Sequence, residues 1–501
     1  MKKKFALASL ISGLLFGIAF YCPSLSFINW LGWTPFCWAM LLAKPHHLWK
    51  YSLIFGISAN CIIQYWVFGA AKNMIGQTGL ITYFSYFTLI ISSALTPLLF
   101  GIVVALFRKK YSTSNVFLLL PLVWVVSEWL QLQLFSGLPW TNVLAGYPLA
   151  AYIYSIQLAA VAGIWGISFC ILLVSSVLAQ YLIYRKKAHL IASIGILVAV
   201  HLIGFIMVKS VDFDRSSKEK FKVALLLESF EAGTSWNEKT GNKLASIFID
   251  LNKQAAKSNP DLVLWSEGAI PWTFDKEDDL LLACLNQTKQ TGAEHIIGIL
   301  VKTKEGNKRY NSSVHLNSSG TVLGSYNKQR LLSLLEKPLT EAELPFLEIL
   351  NEIGRSKRLE AGDESTVLKT QIGTAGVSIC NEWLVPQAIR SSVNEGATFL
   401  LSLGNNGYFE SDFSPRVHYW QTIIRAVENR RDVAINCNYG YSGIITASGR
   451  SEMVYRPKST SKVVEVANNS QTSVYSALGD WLPITCIVVL VVCFFRRNIW
   501  S

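Results

Sequence analysis

Seven long apolar runs fill the first 210 residues of this 501-residue chain, and they constrain its fold more than any other feature. Each is long enough to cross a bilayer as a helix, which takes about 20 apolar residues. An eighth, shorter run lies near the C-terminus. The sequence therefore predicts a polytopic α-helical membrane bundle with eight spans. The runs occupy 5–22, 27–44, 51–71, 85–107, 116–136, 160–183, 188–208 and 483–495.

Basic residues are confined to every second loop between these runs. The clusters lie at 2–4, 44–50, 108–110, 185–187 and 496–497, whereas the alternate loops contain only Lys72. Because cytoplasmic loops carry an excess of Lys and Arg, both termini are predicted to be cytoplasmic. The long segment between the seventh and eighth runs is then predicted to be extracytoplasmic.

The net charge of +12 comes entirely from the apolar part of the chain. Residues 1–210 contain thirteen Lys or Arg and one acid, while the remainder is neutral. These cations stand in short clusters between apolar runs, a pattern that indicates membrane orientation rather than nucleic-acid binding. We therefore expect the membrane, and no nucleic acid, as a partner.

The one acid of this region, Glu128, lies inside the fifth run. A carboxyl group at membrane depth costs about 2.5–3.5 kcal/mol on insertion scales unless it meets a polar partner or cavity. Glu128 has either a role in substrate access or a structural hydrogen bond inside the bundle, and the second interpretation is favoured.

From residue 211 to residue 480 the pattern changes to that of an α/β domain, where short apolar strands alternate with amphipathic helices. The predicted organisation is 1–210 as a seven-span bundle, 211–480 as the α/β domain and 481–501 as the eighth span and C-terminus. Strands are predicted at 222–227, 261–266, 295–302, 313–316, 322–326, 373–379, 397–403, 432–436 and 443–447. Helices are predicted at 239–257, 276–291, 386–395 and 415–431.

One long stretch of this domain, 327–365, is poorly periodic, which is typical of a functional loop or lid. Residues 337–362 combine proline and glycine with an apolar segment, 344–350. We expect this part to be mobile, with apolar side chains turned toward the bilayer.

Three reactive side chains stand at strand ends in the α/β domain: Glu267, Lys328 and Cys380. Taken singly, each has an ordinary interpretation, since most free cysteines are small buried hydrophobes and most strand-end Glu and Lys are solvated. Together they provide a thiol nucleophile, a base to take its proton and a cation for an oxyanion. This combination indicates nucleophilic catalysis.

The cysteines give no sign of a disulfide framework or a metal site. Of the nine, only Cys284, Cys380 and Cys437 lie in the polar region, and their spacing matches no metal-ligand pattern. No metal and no other cofactor is predicted.

Several motifs carry a resemblance to a known family. The segments 265–271, 326–328 and 379–382 resemble the Glu-Lys-Cys triad regions of the nitrilase (carbon–nitrogen hydrolase) superfamily. With the spans around that domain, the chain resembles the apolipoprotein N-acyltransferase family of bacterial envelopes. The resemblance implies an extracytoplasmic nitrilase-type α-β-β-α sandwich carried by the eight-span bundle. Further motifs similar to that family lie at 128–129, 136–140, 425–431, 438–443 and 479–481.

The resemblance also implies roles for individual residues. Glu267 would be the general base, Lys328 would stabilise the oxyanion and Cys380 would form an acyl-thioester. Two supporting residues, Glu336 and Glu382, match further glutamates of the family's active site. The substrate-binding residue Trp236 matches a tryptophan near the active-site entrance.

The implied reaction transfers an acyl chain from a phospholipid, phosphatidylethanolamine in the family, to the N-terminal diacylglyceryl-cysteine of apolipoproteins. Its implied location is the bacterial inner membrane, as a multi-pass protein with the catalytic domain facing the periplasm. Two other classes stay open: a membrane-tethered amidase or hydrolase with water as acceptor, and a transporter or receptor without chemistry. The chain departs from the family pattern at Glu228, Asn381, Asn406 and 331–335.

Overall fold

The computed structural model describes residues 2–75, 79–135, 137–231, 234, 236–333, 335–338, 359–363 and 367–495. The chain divides into two compact units. The first contains Met1–Phe68, Thr78–Ser210 and Ser473–Ser501, and the second contains Gly69–Gln77 and Val211–Thr472. This division places residues 473–480 in the first unit. The sequence pattern assigns them to the α/β domain, 211–480.

Apolar helices make up the first unit and the segments that lead out of it. Six helical stretches in the described chain are long and apolar enough to cross a membrane, and two more are apolar but shorter. Each of the eight runs predicted from the sequence overlaps one of these stretches, while the number that cross a bilayer stays a prediction. The helices are α1 (Lys2–Tyr21), α2 (Thr34–Leu42), α3 (Leu48–Ile63), α4 (Val67–Ile75), α5 (Leu80–Ser93), α6 (Leu95–Lys110), α7 (Thr113–Val116), α8 (Leu119–Leu134), α9 (Ala159–Tyr184), α10 (Lys187–Ser216), and, at the end of the chain, α15 (Val474–Leu478) and α16 (Trp481–Phe495).

Buried polar side chains hold the segment that follows α8 within this unit. The side-chain amide of Asn29 donates to the carbonyl of Ala145 at 2.6 Å, and the N–H of Ala145 donates to the Glu128 carboxylate at 2.6 Å. The side-chain amide of Gln131 donates to the carbonyl of Thr141, also at 2.6 Å. Backbone groups inside an apolar bundle need such internal partners because water cannot reach them. Glu128 thus makes the structural hydrogen bond favoured from the sequence.

Two six-stranded sheets form the second unit. The strands are β1 (Lys220–Leu227), β2 (Leu262–Leu264), β3 (Glu294–Lys302), β4 (Arg309–Leu316), β5 (Val322–Asn327), β6 (Val367–Thr370), β7 (Gly373–Ile379), β8 (Phe399–Asn405), β9 (Val433–Asn438), β10 (Tyr441–Ile445), β11 (Ser451–Tyr455) and β12 (Thr460–Ala467). The first sheet has the order β12-β1-β2-β3-β4-β5 and the second the order β11-β10-β9-β8-β7-β6. In each sheet three neighbouring strands are parallel, β1-β2-β3 and β7-β8-β9, so their carboxyl ends meet at one edge.

The two sheets pack face to face and helices cover their outer faces. Because side chains alternate along a strand, Val223 and Leu225 of β1 enter the core between the sheets, whereas Ala224 packs with Phe248 of a helix. That helix is α11 (Gly241–Ala256), and α12 (Asp279–Thr288) packs against it. On the second sheet, α13 (Pro386–Asn394) contacts β7 and α14 (Phe413–Asn429) contacts β10. The layer order is the α-β-β-α sandwich that the resemblance implies.

Candidate active site

Cys380 stands on a strained turn at the carboxyl end of β7. The strand ends at Ile379, and a short 3-10 helix begins at Cys380 itself. The φ angle of Cys380 is +54°, in the left-handed region that residues other than glycine seldom adopt. Proteins keep such strain mainly where function requires it. The turn leaves the thiol half-buried at the edge where the parallel strands end.

Lys328 is the buried cation of this site. It follows β5 directly, and its side chain is 0% exposed. Its Nζ lies 2.9 Å from each carboxylate oxygen of Glu336 and 3.7 Å from Oε1 of Glu267. Burial alone would lower the pKa of this ammonium, but the negative charges of Glu336 and Glu267 outweigh burial and raise it. Lys328 is therefore charged and stands between two carboxylates.

The two glutamates differ in how their oxygens are used. Glu336 accepts from Lys328 and from the Asn311 side chain, at 3.0 Å, through one oxygen, and from the N–H of Leu332, at 2.9 Å, through the other. Burial would raise its pKa, but Lys328 and these donors hold it below its usual value. Glu267 accepts from Asn311 at 2.8 Å through Oε1, and no described residue donates to its Oε2. The two carboxylates therefore differ, because both oxygens of Glu336 accept hydrogen bonds and only Oε1 of Glu267 accepts one from the described residues.

Glu382 joins the turn that carries Cys380 to the loop that carries Lys328. One carboxylate oxygen accepts from the Tyr326 hydroxyl at 2.6 Å and from the N–H groups of Gln329 and Arg330 at 2.9 and 3.1 Å. The other oxygen accepts from the N–H of Ile379 at 2.7 Å. Glu382 is fully buried, and burial raises its pKa against these donors. Four donors on one buried carboxyl set the distance between the two segments.

Replacing Glu382 with glutamine is expected to loosen this link. A glutamine side chain has one accepting oxygen. Its NH₂ group must therefore face N–H donors either at Ile379 or at Gln329 and Arg330. A buried polar group left unpaired costs about 1–3 kcal/mol, and we expect a loss of stability of that size together with slower chemistry at Cys380. Thermal unfolding and the rate of acyl-enzyme formation measure the two effects. Glu452→Gln, at an exposed position on β11, is the matched control, and equal behaviour of the two variants would contradict this role.

The electrostatics at Cys380 favour the thiol form at rest. Burial raises its pKa well above the usual range, the charge of Glu267 raises it further, and the charge of Lys328 lowers it. The thiolate, which is the nucleophile, therefore forms when a base removes the proton. A thiol, a carboxylate with a free oxygen and a buried cation together can carry out acyl transfer through a thioester. Among the described residues, no three His, Cys, Asp or Glu side chains are grouped so that they could hold a metal ion.

A small cavity lies beside Cys380 in the second unit. Its volume is about 30 Å³, and its lining includes Ser402, Asn406, His418 and Cys437. That volume is enough to hold a water molecule. Burial, assisted by the charge of Lys328, lowers the pKa of His418 to about 4, so its imidazole is neutral at physiological pH.

Trp236 belongs to an aromatic cluster on the helix-facing side of the first sheet. Its ring centroid lies 6.0 Å from that of Phe248 and 5.2 Å from that of Trp272. Trp272 follows Glu267 by five residues, so the cluster and this glutamate belong to one segment of chain. Ion pairs and charge interactions link the reactive and supporting residues Glu267, Lys328, Cys380, Glu336 and Glu382. The substrate-binding role of Trp236 stays a prediction.

The residues at which the chain departs from the family pattern lie around the site. Oε1 of Glu228 accepts from the Ser266 hydroxyl at 3.0 Å, and burial raises the pKa of Glu228 to about 7. The side-chain amide of Asn381 donates to the carbonyl of Arg330 at 2.9 Å, and Asn406 lines the cavity. Residue 334 of the departure 331–335, and residues 339–358 of the predicted lid, lie outside the described part of the chain.

Two residues of the site were missed in the sequence. Asn311 of β4 donates to Glu267 and to Glu336, and so holds both carboxylates at Lys328. His418 of α14 lines the cavity beside Cys380. No local pattern distinguishes either residue, since the strand that contains Asn311 also contains Ser312, Ser313 and His315.

Comparison with known proteins extends over nearly the whole chain. A family model for carbon-nitrogen hydrolases matches residues 228–463, and a model for the apolipoprotein N-acyltransferase N-terminal domain matches residues 12–177. The apolipoprotein N-acyltransferase of Geobacter metallireducens is 26% identical over 512 residues, covering 98% of this chain and 96% of its own. The one of Methylococcus capsulatus is 26% identical over 506 residues, covering 99% and 97%.

Among solved structures, the crystal structure of Saccharomyces cerevisiae Nit3, a nitrilase-superfamily member, covers 50% of this chain and 90% of its own at 18% identity and a TM-score of 0.37. The family assignment rests on the two models and the full-length relatives instead. The chain belongs to the apolipoprotein N-acyltransferase family, and its second part is a carbon-nitrogen hydrolase domain.

Proposed function

We propose that this enzyme moves a fatty acyl chain from a phospholipid to Cys380, and from Cys380 to the α-amino group of the diacylglyceryl-cysteine at the N-terminus of an apolipoprotein. One observation carries the proposal: Glu382 joins the strained turn of Cys380 to the loop that follows Lys328, and Nζ of Lys328 lies 3.7 Å from Glu267. We infer the substrate classes from the family membership, and the reaction chemistry from the arrangement of Cys380, Lys328 and Glu267.

In the first half-reaction Glu267 takes the thiol proton on Oε2, and the sulfur attacks the ester carbonyl of the phospholipid. Lys328 stabilises the oxyanion that forms. When the intermediate collapses, the C–O bond breaks and Glu267 returns the proton to the leaving alkoxide. The products are a lysophospholipid and a thioester on Cys380. Phosphatidylethanolamine, through its sn-1 chain, is the donor we propose from the family resemblance.

In the second half-reaction the free amine attacks the thioester carbonyl. Glu267 takes a proton from the attacking nitrogen, the C–S bond breaks and the proton passes to the departing thiolate. An amide forms and the thiol is restored. A thioester suits this step because an amine attacks it far more readily than it attacks an ester.

The remaining residues of the network hold these groups in place. Both carboxylate oxygens of Glu336 accept hydrogen bonds, one from Lys328 and the other from the N–H of Leu332. This arrangement fits a role in fixing the cation rather than in moving a proton. Glu382 fixes the nucleophile turn. We propose Trp236, in its aromatic cluster, for the substrate-binding side of the site.

We further propose that the chain crosses the bacterial inner membrane eight times and that residues 211–480 face the periplasm. The basic loop clusters support this orientation, because a cluster of Lys and Arg retains its loop on the cytoplasmic side. A cysteine introduced at Lys337 is expected to react with a membrane-impermeant maleimide in intact spheroplasts. Cysteines at Lys110 and Lys187 should react only after the membrane is opened. Labelling in the reverse order would contradict the orientation.

Acyl transfer itself is tested with purified protein in phospholipid nanodiscs and a synthetic diacylglyceryl-cysteine peptide. We expect an N-acylated peptide and an equal amount of lysophospholipid, and neither product with Cys380→Ser. Release of free fatty acid in place of the acylated peptide would instead identify a hydrolase with water as acceptor. Binding of lipid and peptide without any product would identify a receptor.

A further inference from the structure

A short segment of backbone, residues 359–362, is hydrogen-bonded to the loop that carries Lys328. The N–H of Gly362 donates to the carbonyl of Lys328 at 2.9 Å, and the N–H of Leu359 donates to the carbonyl of Glu336 at 2.8 Å. Between them, the N–H of Glu360 donates to the carbonyl of Arg309 at 2.9 Å. The 359–362 segment therefore contacts the backbone of the cation and of the glutamate that holds it.

Gly362 can approach this loop only because it has no side chain. A Cβ atom at that position would lie 2.3 Å from the carbonyl oxygen of Asn327 and 2.7 Å from its Cβ. Asn327 is the last residue of β5 and directly precedes Lys328. The clash would be with backbone, which cannot rotate away as a flexible side chain would. Any larger residue must therefore push the 359–362 segment or the Asn327–Lys328 peptide out of place.

We propose that Gly362 is a positioning residue, which lets the 359–362 segment clamp the backbone of Lys328 and Glu336 and so fixes Nζ of Lys328 beside Cys380. The inference rests on the proposed function of Lys328 as the cation of the site. Gly362 itself offers no group to a substrate, so its effect passes entirely through Lys328.

The size of the effect follows from the clash. Relieving a 2.3 Å contact requires a shift of about 1 Å, and a misplacement of that size can slow catalysis about 10²-fold. A displaced Lys328 also stabilises the Cys380 thiolate less. The pH at which Cys380 becomes reactive should therefore rise, which a change confined to fold stability would not cause.

The experiment compares Gly362→Ala with Gly241→Ala in the full-length protein. Gly241 is the first residue of α11, and an added Cβ there meets no atom within 4 Å. Iodoacetamide alkylation of Cys380 is followed by mass spectrometry across pH, and acyl-enzyme formation is timed separately. For Gly362→Ala we expect the midpoint pH of Cys380 alkylation to lie between those of the wild type and Lys328→Met. Acylation should be about 10²-fold slower. Gly241→Ala should match wild type in both.

A wild-type midpoint with acylation within twofold of wild type in Gly362→Ala would overturn the proposal. If that variant fails to fold, Leu359→Ala replaces it, since Leu359 anchors the same segment and is 8% exposed. For Leu359→Ala we expect the midpoint pH of alkylation to rise as well, but by less. An unchanged midpoint pH would also overturn the proposal. Alkylation needs no lipid, so this result is separate from any failure of the wild-type protein to transfer acyl chains.

Discussion

Glu267→Gln is expected to abolish detectable acyl-enzyme formation while the protein stays folded. A general base contributes about 10²–10⁴ in rate, and in the proposed mechanism the same group also returns the proton to the leaving alkoxide. Because the charge of Glu267 raises the pKa of Cys380, its removal should make the thiol more acidic. Iodoacetamide should therefore alkylate Cys380 at lower pH in this variant, although acylation fails. Mass spectrometry of the Cys380 peptide measures both reactions.

Easier alkylation combined with lost acylation distinguishes a general base from a structural residue. A purely structural loss would slow alkylation and acylation together. Acyl label that accumulates on Cys380 at the wild-type rate in Glu267→Gln would show that Glu267 is not the base. Glu336 or Glu382 would then have to take that role, although the oxygens of both are occupied by donors.

Lys328→Met is expected to lose both activity and stability. Removing a donor to an oxyanion costs about 10²–10³ in rate. Without the ammonium, Glu336 and Glu267 also face each other across a buried site, and breaking a buried pair by removing one partner costs about 3–5 kcal/mol. The alkylation of Cys380 should move to higher pH, because Lys328 is the group that lowers its pKa. Single-turnover acylation, thermal unfolding and the alkylation profile test the three effects.

The matched control for that variant is Lys220→Met. Lys220 pairs with Glu465 at 3.5 Å, but both side chains are exposed, so solvent screens the pair. We expect no measurable change in unfolding or acylation. An unchanged alkylation profile in Lys328→Met would contradict the placement of the cation beside the thiol.

The three reactive residues could be found in the sequence because each stands at or shortly after the end of a strand with a clear pattern. Gly373–Ile379 is an apolar run that ends on Cys380, and β5 ends one residue before Lys328. In a layered α/β fold the ends of such strands meet, so their side chains were expected to meet as well. The structure brings Glu267, Lys328 and Cys380 into one network, and their catalytic roles stay predictions.

The strands that were missed lie at sheet edges. β6 and β11 close the two ends of the second sheet, and β12 is an edge strand of the first. Edge strands are half-exposed and mix Lys, Glu and Ser with apolar residues, so no apolar run marks them. β12 pairs with β1, more than 230 residues earlier, and that pairing rather than local propensity determines it.

The different surroundings of the two carboxylates could not be derived from the residues alone, although the family resemblance implies Glu267 as the base and Glu336 as a supporting residue. Both Glu267 and Glu336 stand near Lys328, and only the hydrogen bonds of Asn311 and Leu332 show which carboxylate is occupied. The same holds for Gly362, where the absence of a side chain matters because of an Asn327 carbonyl that no sequence pattern connects with it.

The central claim is that Cys380 carries the acyl chain, and the intact mass of the protein after incubation with phospholipid alone tests it most directly. We expect a gain of one acyl chain per molecule, located on Cys380 by peptide mapping, removed by neutral hydroxylamine and discharged by the diacylglyceryl-cysteine peptide. Cys380→Ser should gain no such thioester. Transfer of the chain to the peptide by Cys380→Ser at the wild-type rate, or a hydroxylamine-sensitive acyl group on another residue, would contradict the account.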